Sequence, residues 1–531
     1  MAEAGFNAAR ALLEPHLANG REAHTAFIDP TGRLTYGQLE RNVNAFGHLL
    51  ASFGIVRETR VALLMHDTLA WPVSFLGAIA AGAVPVALNT LLTGEQYRYI
   101  LNDSRAKALF VSAALLPVIE PILRDLPHLT HVFVAGGEAP SYAVSLEQAL
   151  TGQPTHAVAV DTHRDETAFW LYSSGSTGMP KGTRHLHTSM AATADLFGRQ
   201  VLGLTGDDVV LSAAKLFFAY GLGNALSFPL AVGATTILHP GRPTPDDMFA
   251  LLARHNVSVF FGVPTLYAAM LAHREQALAE GIACASHHEG ANAAVAASRA
   301  LPALRFGVSA GEALPADVGE SFKAQFGVDL IDGVGSTEML HIYVSNRPDD
   351  IRYGTSGKPV PGYRIRLVDE EGADVPDGEV GEMIVEGPSA ADGYWNQRAK
   401  SRATFQGTWT RSGDKYTRDA EGYFTYAGRT DDMFKVSGIW VSPFEVESAL
   451  VSHPDVLEAA VVPATDEEGL LKPKAFVVLK EGAGEDGLEA NLKEQVKARA
   501  GPWKYPRWIV FAPDLPKTAT GKIQRFKLRE L

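Results

Sequence analysis

Residues 172–182 read Tyr-Ser-Ser-Gly-Ser-Thr-Gly-Met-Pro-Lys-Gly, and no other stretch of the chain is as informative. The apolar run 168–171 before it is typical of the end of a strand. A loop of this composition can turn its backbone N–H groups inward around phosphate oxygens, with hydroxyls and the charge of Lys181 in support. The G-x-x-x-x-G-K-[ST] spacing is absent. The stretch predicts a phosphate loop of another kind; a plain flexible connection is the alternative for such a loop taken alone.

Size and charge limit the class of protein. The 531 residues predict two or more domains, and 46% hydrophobic with 20% charged residues is ordinary for a globular chain. The net charge of −13 argues against a general nucleic-acid binder, because no basic excess is present to neutralise phosphates.

Cysteine usage and apolar runs bear on the compartment. The single cysteine, Cys284, rules out an intramolecular disulfide and fits a reducing cytosol. The N-terminus lacks a secretory pattern, and the apolar stretch 73–88 is too short and too interrupted to cross a bilayer. We expect a cytoplasmic protein with neither a membrane nor a nucleic-acid partner, and read 73–88 as a buried helix followed by a strand.

Strand-like and helix-like patterns alternate along the first 300 residues, which predicts parallel sheets with helices on both faces. Thr35 and Gln38 form a plausible capping box at the start of one helix. The stretch 273–301 is Ala-rich with a weak core pattern, and we expect a surface helix pair or an insertion. The predicted strands are 60–65, 84–89, 106–111, 209–212, 235–238, 257–261 and 304–308.

The remainder of the chain has another character. Short alternating runs separated by turns such as Pro376-Asp377-Gly378 fill 354–426 and predict a distorted antiparallel β-barrel. After 430 the order is a helix over 443–450, strands at 457–463 and 475–479, and a helix over 488–498. The predicted fold class is therefore α/β. A large N-terminal domain, 1–430, holds parallel-sheet α/β subdomains and the barrel, and a small α+β domain spans 431–531.

Three further clusters carry polar chemistry. The run Asp332-Gly333-Val334-Gly335-Ser336-Thr337-Glu338 combines close backbone approach with a carboxylate, although a strand-to-loop turn with an exposed Glu reads the same. Asp414 is suited to accept hydrogen bonds from two vicinal hydroxyls, with Tyr426 and Arg429 nearby in sequence; an exposed turn with a surface Arg is the alternative. The ending, residues 516–523, contains Lys522 between Gly521 and Ile523.

In composition and order the four clusters resemble the acyl-adenylate-forming superfamily of acyl- and aryl-CoA ligases, adenylation domains and luciferases. They span residues 172–522, so the resemblance covers nearly the whole chain. It implies that ATP, Mg²⁺ and coenzyme A bind, with Glu338 as the metal ligand. The residues implied to contact the nucleotide are Ser173, Ser174, Gly175, Ser176, Thr177, Lys181, Gly311, Glu312, Ala313, Asp332, Gly333, Thr337, Asp414, Tyr426 and Arg429.

The resemblance also implies two half-reactions. In the first, Lys522 contacts the substrate carboxylate and the α-phosphate. Thr177 helps to position the phosphates, and Glu338 holds the metal ion. The small domain then rotates about a hinge at Asp431. This rotation withdraws Lys522 and brings forward Lys435, as a second catalytic residue, with Ser437 and Gly438 beside the pantetheine arm.

The acid is expected to be a flat aromatic carboxylate. The segment 215–223 occupies the family's acyl-pocket position, and no Asp or Glu lies between Leu211 and Leu230 to pair an amino acid's ammonium group. The run 336–343 is similar to the benzoate–CoA ligase subgroup, which places His341 and Ile342 at the ring edge; a histidine already satisfied by neighbouring groups is the alternative. The implied substrate residues are Phe218, Ala219, Tyr220, Gly335, His341, Ile342 and Lys522.

The function implied is an ATP-dependent aryl-CoA ligase for benzoate or a substituted benzoate, with a place in aromatic compound degradation. Three alternatives stay open: transfer of the aryl acid to a carrier-protein pantetheine, a CoA ligase for another short acid, and a non-catalytic nucleotide-binding module. Retention of Glu338, Asp414, Arg429 and Lys522 argues against the last. The oligomeric state is not fixed by the sequence, a homodimer being one option.

Overall fold

The computed structural model describes residues 5–158, 160–173, 179–279, 301–430, 432–436, 439–466, 470–502, 504–517, 523–529 and 531. Its strands are β1 Thr25–Asp29, β2 Gly32–Thr35, β3 Arg60–Leu64, β4 Val84–Ala87, β5 Ala108–Ser112, β6 His131–Ala135, β7 Val144–Ser145, β8 Thr167–Ser173, β9 Lys181–Leu186, β10 Val209–Ser212, β11 Thr235–Ile237, β12 Val259–Gly262, β13 Phe306–Ser309, β14 Leu330–Gly335, β15 Ile342–Ser345, β16 Lys358–Pro359, β17 Arg364–Val368, β18 Gly381–Glu386, β19 Gly393–Tyr394, β20 Phe405–Gln406, β21 Trp409–Arg418, β22 Phe424–Arg429, β23 Phe434–Val436, β24 Ile439–Val441, β25 Val456–Thr465, β26 Leu471–Leu479 and β27 Trp508–Phe511.

The α-helices are α1 Ala8–Ala18, α2 Tyr36–Ser52, α3 Ala70–Ala80, α4 Gly94–Ser104, α5 Leu116–Ile119, α6 Leu146–Leu150, α7 His187–Thr193, α8 Ala219–Leu222, α9 Phe228–Val232, α10 Pro245–Arg254, α11 Pro264–Ala279, α12 Ala316–Phe326, α13 Arg398–Thr404, α14 Pro443–Val451, α15 Leu488–Ala500 and α16 Arg525–Leu528. Short 3₁₀ turns span Ala113–Leu115 and Glu120–Asp125, and π-helical turns span Ala194–Arg199 and Gly223–Ser227.

Two large sheets with parallel centres make up most of the chain. One has nine strands in the order β16-β15-β14-β13-β12-β10-β11-β1-β2, and the other has eight in the order β19-β9-β8-β4-β3-β5-β6-β7. Pairing is parallel from β1 through β11, β10, β12 and β13 to β14, and from β8 through β4, β3, β5 and β6 to β7. The predicted α/β class is confirmed.

Helices cover both faces of the eight-stranded sheet, as the alternation of strands and helices along the sequence predicted. Along β3, Val61 and Leu63 join the buried cluster that contains Phe46 of α2, whereas Ala62 and Leu64 face a second cluster with Tyr97 of α4. Successive side chains of a strand point to opposite faces, so both faces of this sheet are covered by helices.

Local sequence features set individual helices. The predicted capping box is present at α2, where Thr35 accepts from the amide of Gln38 and the Gln38 side chain accepts from the amide of Thr35. The apolar stretch 73–88 forms the buried helix α3 and the strand β4, as predicted. Among the described helices, none is both long enough and apolar enough to span a membrane.

Contacts divide the chain into two compact units. The first comprises Met1–Arg364 and Val385–Thr410, and the second Ile365–Ile384 and Arg411–Leu531. A five-stranded sheet, ordered β17-β18-β21-β20 with β22 paired to β21, forms a half-barrel, in line with the predicted distorted barrel. The second unit holds β23-β24 and the sheet β25-β26-β27, with helices α14, α15 and α16. The proposed hinge Asp431 and most of the predicted insertion, 280–300, lie outside the described residues.

Candidate active site

The first cluster of polar side chains joins the two large sheets of the first unit. Antiparallel β8 and β9 pair as far as Ser173 and Lys181, so the Gly/Ser-rich run begins where β8 ends and stops where β9 begins. The Lys181 ammonium lies 3.2 Å from Glu338 Oε1 and 2.8 Å from the hydroxyl of Tyr394. The Tyr394 hydroxyl in turn donates to Glu338 Oε1 at 2.7 Å. Three residues far apart in sequence therefore meet directly beside the Gly/Ser-rich connection.

The charges in this cluster hold Glu338 ionised. Burial alone would raise the pKa of Glu338, but the Lys181 ammonium and the Tyr394 hydroxyl outweigh that effect and hold the pKa below its usual value. Burial and the neighbouring carboxylate raise the pKa of Tyr394, so this phenol stays a hydrogen-bond donor. The site thus offers an anion and a cation side by side at neutral pH.

Glu338 sits on a tight turn after β14. The Leu340 amide donates to the Thr337 carbonyl at 3.1 Å, and Leu340 has a φ of 66°, in the left-handed region that leucine rarely adopts. The Ala391 amide fixes the turn from outside by donating to the Glu338 carbonyl at 2.8 Å. A left-handed non-glycine residue costs roughly 1–3 kcal/mol and persists where its surroundings enforce it. Here the turn directs the Glu338 side chain towards Lys181.

The predicted adenine segment lies at the carboxyl edge of the nine-stranded sheet. Gly311, Glu312 and Ala313 begin two residues after the end of β13, and Gly311 has a φ of 94° that only glycine adopts without strain. β13 runs parallel to β14 with Ser309 level with Asp332. Ligands of open α/β sheets bind at this edge. The segments 311–313 and 333–338 therefore leave neighbouring strands at one edge.

Asp332, a predicted nucleotide residue at the end of this sheet, is buried. Only 4% of its surface is exposed, and the Ser356 hydroxyl donates to its Oδ2 at 3.1 Å. Burial raises the pKa of Asp332 to about 7, against hydrogen bonds from Ser356 and from the amides of Leu314 and Gly333. Its contacts join the segment after β13, through Leu314, to the segment before β16, through Ser356.

The predicted acyl segment reaches the same sheet edge. The Tyr220 hydroxyl lies 3.2 Å from the Gly262 carbonyl and 3.0 Å from the Val308 carbonyl, at the ends of β12 and β13. Phe218 is partly exposed and its ring lies 4.4 Å from that of Phe217. Ala219 adds a small, buried side chain at the start of α8. These side chains form an uncharged, mainly aromatic surface.

His341 is fully enclosed within this aromatic group. Its Nε2 donates to the Tyr220 carbonyl at 3.2 Å and to Asn224 Oδ1 at 3.1 Å, and burial lowers its pKa to about 3. Its ring centroid lies 4.4 Å from that of Phe228. A neutral, pinned histidine is what the alternative interpretation predicted. Its neighbour Ile342 is buried at the start of β15, opposite Gly335.

Gly335 leaves no space for a side chain beside these residues. A Cβ on Gly335 would lie 2.7 Å from the carbonyl carbon of His341 and 2.8 Å from the amide nitrogen of Ile342. Glycine at this position therefore permits the close approach of β14 to the segment that carries His341.

The second unit carries the predicted ribose cluster. Asp414 on β21 stands directly opposite Arg429 on β22, and Arg429 Nη1 donates to Asp414 Oδ1 at 2.8 Å. Asp414 is 7% exposed. Tyr426 lies on the same strand as Arg429, its ring 5.4 Å from that of Tyr416 and 5.2 Å from that of Phe444. The structure thus brings together the three residues of this cluster.

Several predicted residues are not covered by the structure. Lys435 lies at the centre of β23, opposite Trp440 of β24, and its side chain is not described. The predicted residues outside the described part are Ser174, Gly175, Ser176, Thr177, Ser437, Gly438 and Lys522.

Mg²⁺ takes one or two carboxylates together with phosphate oxygens and waters. Within the described residues, no group of three or more His, Cys, Asp or Glu side chains could hold a metal by itself. The ionised Glu338 lies beside Lys181, and its carboxylate is the kind of ligand that Mg²⁺ takes in proteins.

Sequence reasoning missed three residues of this region: Tyr394, Asn224 and Asp67. Asp67 is buried and accepts the Leu216 amide with both carboxylate oxygens at 3.3 Å, which anchors the start of the acyl segment. Burial raises the pKa of Asp67 to about 6, against the charge of Lys215. None of the three belongs to the clusters identified in the sequence. Each is recognisable only through a partner more than 50 residues away, which for Asn224 is His341.

Comparison with known families gives a match over both parts of the chain. Residues 15–395 match the model of the AMP-binding enzyme family, and residues 445–522 match that of the AMP-binding enzyme C-terminal domain. The chain belongs to the AMP-binding enzyme family, as the four sequence clusters and their order predicted.

Full-length relatives refine this assignment. The chain is 53% identical over 527 residues to a benzoate–CoA ligase of Thauera aromatica, covering 99% of the chain and 96% of the relative. It is 51% identical over 529 residues to a 4-hydroxybenzoate–CoA/benzoate–CoA ligase of Rhodopseudomonas palustris, covering 99% and 94%. The crystal structure of a benzoate CoA ligase from Burkholderia xenovorans superposes with a TM-score of 0.86 at 50% identity, covering 99% and 100%. Within the family, the chain falls in the benzoate–CoA ligase subgroup.

Proposed function

We propose that the protein is an ATP-dependent aryl-CoA ligase that converts benzoate, or a closely related benzoate, into its coenzyme A thioester with release of AMP and pyrophosphate. The predicted class, an acid–thiol ligase, is confirmed by the full-length similarity to benzoate–CoA ligases. The observation that carries the proposal is the cluster of Lys181, Glu338 and Tyr394 at the paired ends of β8 and β9, together with the uncharged aromatic segment around Tyr220.

The first step must activate a poor acyl donor. The carboxylate oxygen of the acid attacks the α-phosphorus of ATP, the bond to pyrophosphate breaks, and an acyl-adenylate forms. Protein side chains supply position and charge, because phosphoryl transfer needs little covalent chemistry from the enzyme. Lys181 offers a cation to the phosphates, and Lys522 is assigned to the carboxylate and the α-phosphate.

Glu338 is the residue that would hold Mg²⁺. When bound with ATP, this ion neutralises charge on the phosphate oxygens. Glu338 is suited to the role because its pKa is held below the usual value and its backbone is fixed by the turn 337–340. Asp414 and Arg429 are assigned to the ribose hydroxyls, and Tyr426 to the face of the base.

The second step transfers the acyl group to sulfur. The coenzyme A thiol attacks the mixed anhydride, AMP leaves, and a thioester forms. Lys435, Ser437 and Gly438 are assigned to this step, after a rotation about Asp431 that makes 1–430 and 431–531 the functional domains. A homodimer and a cytoplasmic location remain part of the proposal.

The choice of an aromatic acid rests on the segment around Tyr220. Phe218, Ala219 and Ile342 present uncharged side chains, and His341 stays neutral because burial lowers its pKa to about 3. A buried charge on the acid, such as an amino acid's ammonium group, would lack a partner and carry a large cost. Benzoate is the proposed substrate, with hydroxy-, amino- and halo-benzoates separated from it by about 1–3 kcal/mol per pocket contact.

A product assay tests this proposal against its alternatives. The protein is incubated with ATP, Mg²⁺ and benzoate, and AMP is measured with coenzyme A, with a pantetheinylated carrier protein, or with neither. We expect benzoyl-CoA and AMP in equal amounts with coenzyme A. AMP formation that needs the carrier protein would favour carrier loading, and no turnover with a panel of aromatic and short acids would refute the ligase.

A further inference from the structure

We propose that Tyr394 is a positioning residue for adenylate formation, whose hydroxyl fixes Glu338 and Lys181 in one arrangement for metal-bound nucleotide. The proposal rests on the proposed function through the role of Glu338, and it adds a residue that lies outside the four sequence clusters described above. The observation is the triangle formed by the Tyr394 hydroxyl, Glu338 Oε1 and Lys181 Nζ.

All three sides of this triangle are hydrogen-bonding distances. The hydroxyl donates to Glu338 Oε1 at 2.7 Å and accepts from Lys181 Nζ at 2.8 Å, while Nζ lies 3.2 Å from Oε1. The ammonium also lies 4.1 Å from the centroid of the Tyr394 ring, within cation–π range. A phenol has one proton to donate, so its direction here is set: the proton goes to Glu338 and the lone pair faces Lys181.

Tyr394 is itself held firmly, as a positioning residue must be. It pairs with Thr183 across β19 and β9, which places it two residues along from Lys181 on the neighbouring strand. Its amide donates to the Ser401 hydroxyl on α13 at 3.0 Å, and its ring packs 5.2 Å from that of Phe405. Only 4% of the residue is exposed.

The physical consequence is a fixed carboxylate. Without the phenol hydroxyl, Glu338 Oε1 keeps only Lys181 as a partner among these three groups, and the two charges are free to pair in more than one geometry. An ion pair alone orients a carboxylate poorly, whereas a charge-assisted hydrogen bond from a rigid donor selects one rotamer. Tyr394 therefore lowers the free-energy cost of orienting Glu338 towards a metal ion and Lys181 towards phosphate.

The test compares Tyr394→Phe with the wild type and with a matched control, Tyr97→Phe. Tyr97 is also buried, and its hydroxyl donates to the Asn89 carbonyl at 2.7 Å, far along the chain from this cluster. Binding is measured without turnover: Mn²⁺ is titrated into protein saturated with α,β-methylene-ATP, and free Mn²⁺ is followed by electron paramagnetic resonance. In parallel, half-saturating Mg²⁺ and benzoate are measured in pyrophosphate exchange.

We expect Tyr394→Phe to bind Mn²⁺ about tenfold or more weakly, the scale for losing one hydrogen bond to a charged group. Half-saturating Mg²⁺ should rise by a similar factor while half-saturating benzoate stays unchanged, and Tyr97→Phe should match the wild type in both. Unchanged Mn²⁺ affinity in Tyr394→Phe, or equal weakening in Tyr97→Phe, would overturn the proposal. A wild type that binds Mn²⁺ with nucleotide, more tightly than Tyr394→Phe, but exchanges no pyrophosphate would refute the function and leave this inference standing.

Discussion

Gly223 is the residue on which the shape of the aromatic segment depends most directly. A Cβ at this position would collide with Cδ2 of His341 and lie 2.6 Å from its Nε2 and 2.9 Å from Cζ of Phe228. Because His341 is pinned through Tyr220 and Asn224, it has little freedom to give way.

Replacing Gly223 with Ala should therefore disturb the acid site selectively. Overpacking of a well-packed core costs about 1–3 kcal/mol, and we expect kcat/KM for benzoate to fall about tenfold while half-saturating ATP stays within twofold. Steady-state kinetics with both substrates check this. Gly94→Ala is the control, because a Cβ there meets only ordinary contacts at 3.5 and 3.8 Å; an equal change in both variants would contradict the account.

His185 gives a prediction about pH. It is completely buried on β9, its ring stacked 5.0 Å from that of Phe169, and burial lowers its pKa to about 4. In the unfolded chain a histidine titrates near 6.5. Between about pH 6.5 and 4 the unfolded chain therefore binds more protons, so this residue's contribution to stability is lost as the pH falls through that range.

The variant His185→Phe should remove this dependence. Each pH unit below about 6.5 carries about 1.4 kcal/mol of differential protonation, or roughly 2 kcal/mol at pH 5. The drop in thermal midpoint between pH 7.5 and pH 5 should be smaller for His185→Phe than for the wild type. His163 is exposed, so the control His163→Phe should show the same drop as the wild type. An identical drop in all three proteins would show that the buried imidazole is not responsible.

Individual residues show what sequence reasoning could reach and what it could not. Lys181, Glu338, Asp414 and Arg429 were singled out from local runs and from the family resemblance. Their roles stay predictions, but each lies beside another predicted residue or beside Tyr394. Tyr394 itself was missed because 56 residues separate it from Glu338. Its role follows from the pairing of β19 with β9, which no local pattern contains.

At the scale of elements, α14 and α16 are joined by a forked ion pair in the second unit. Arg525 donates to Glu447 from Nε at 3.1 Å and from Nη2 at 2.7 Å, and Glu447 Oε1 also accepts the Val461 amide at 2.7 Å. Glu447 is only 7% exposed. Arg525 also lies 3.6 Å from Asp432, the residue after the proposed hinge.

We expect Arg525→Met to destabilise the second unit by about 2–3 kcal/mol. The value stays below the roughly 3–5 kcal/mol for breaking a fully buried pair, because the Arg525 side chain is 22% exposed. Denaturant unfolding of the full chain, followed by a probe in the second unit, measures it. The double variant Glu447→Gln with Arg525→Met should recover part of the loss, because it removes the unpaired charge and keeps an acceptor for Val461. No recovery would contradict the electrostatic explanation.

Element positions were predicted better than element ends. The strand predicted at 257–261 is observed as Val259–Gly262, and the helix predicted over 443–450 is observed as Pro443–Val451. Hydrophobic periodicity locates an element, whereas its ends depend on pairing with a neighbour and on caps such as Thr93 of α4. The distorted barrel predicted for 354–426 is present as a half-barrel sheet. The order of its strands could not be predicted, because alternation in sequence does not specify which strands pair.

For the whole molecule, the fold class and the family are confirmed. The main prediction that follows is that different residues act in the two half-reactions. The role assigned to Lys522 concerns the first of them only. Lys522→Ala should slow adenylate formation by at least about 10²–10³, the scale for losing one charge-stabilising donor. It should leave thioester formation from supplied benzoyl-adenylate unchanged. Rapid-quench assays of each half-reaction measure this, and an equal loss in both would show that the assignment is wrong.

The sequence predicted the molecule's class because the family's four clusters recur in order along the chain, and the match over residues 15–395 and 445–522 confirms it. The domain boundary at 430 remains a prediction. Contacts instead group Ile365–Ile384 and Arg411–Thr430 with the C-terminal part. This grouping of segments depends on strand pairing, such as that of Asp414 on β21 with Arg429 on β22. Local sequence composition does not specify such pairing.

The central claim is that a benzoate carboxylate attacks the α-phosphorus of ATP at a site organised by Glu338. The most direct measurement is exchange of radiolabelled pyrophosphate into ATP, with Mg²⁺ and without coenzyme A. The account predicts exchange that requires benzoate and falls by about 10² or more in Glu338→Gln. Absence of exchange with benzoate and with every member of a broad library of small acids, in protein shown to be folded, would contradict it.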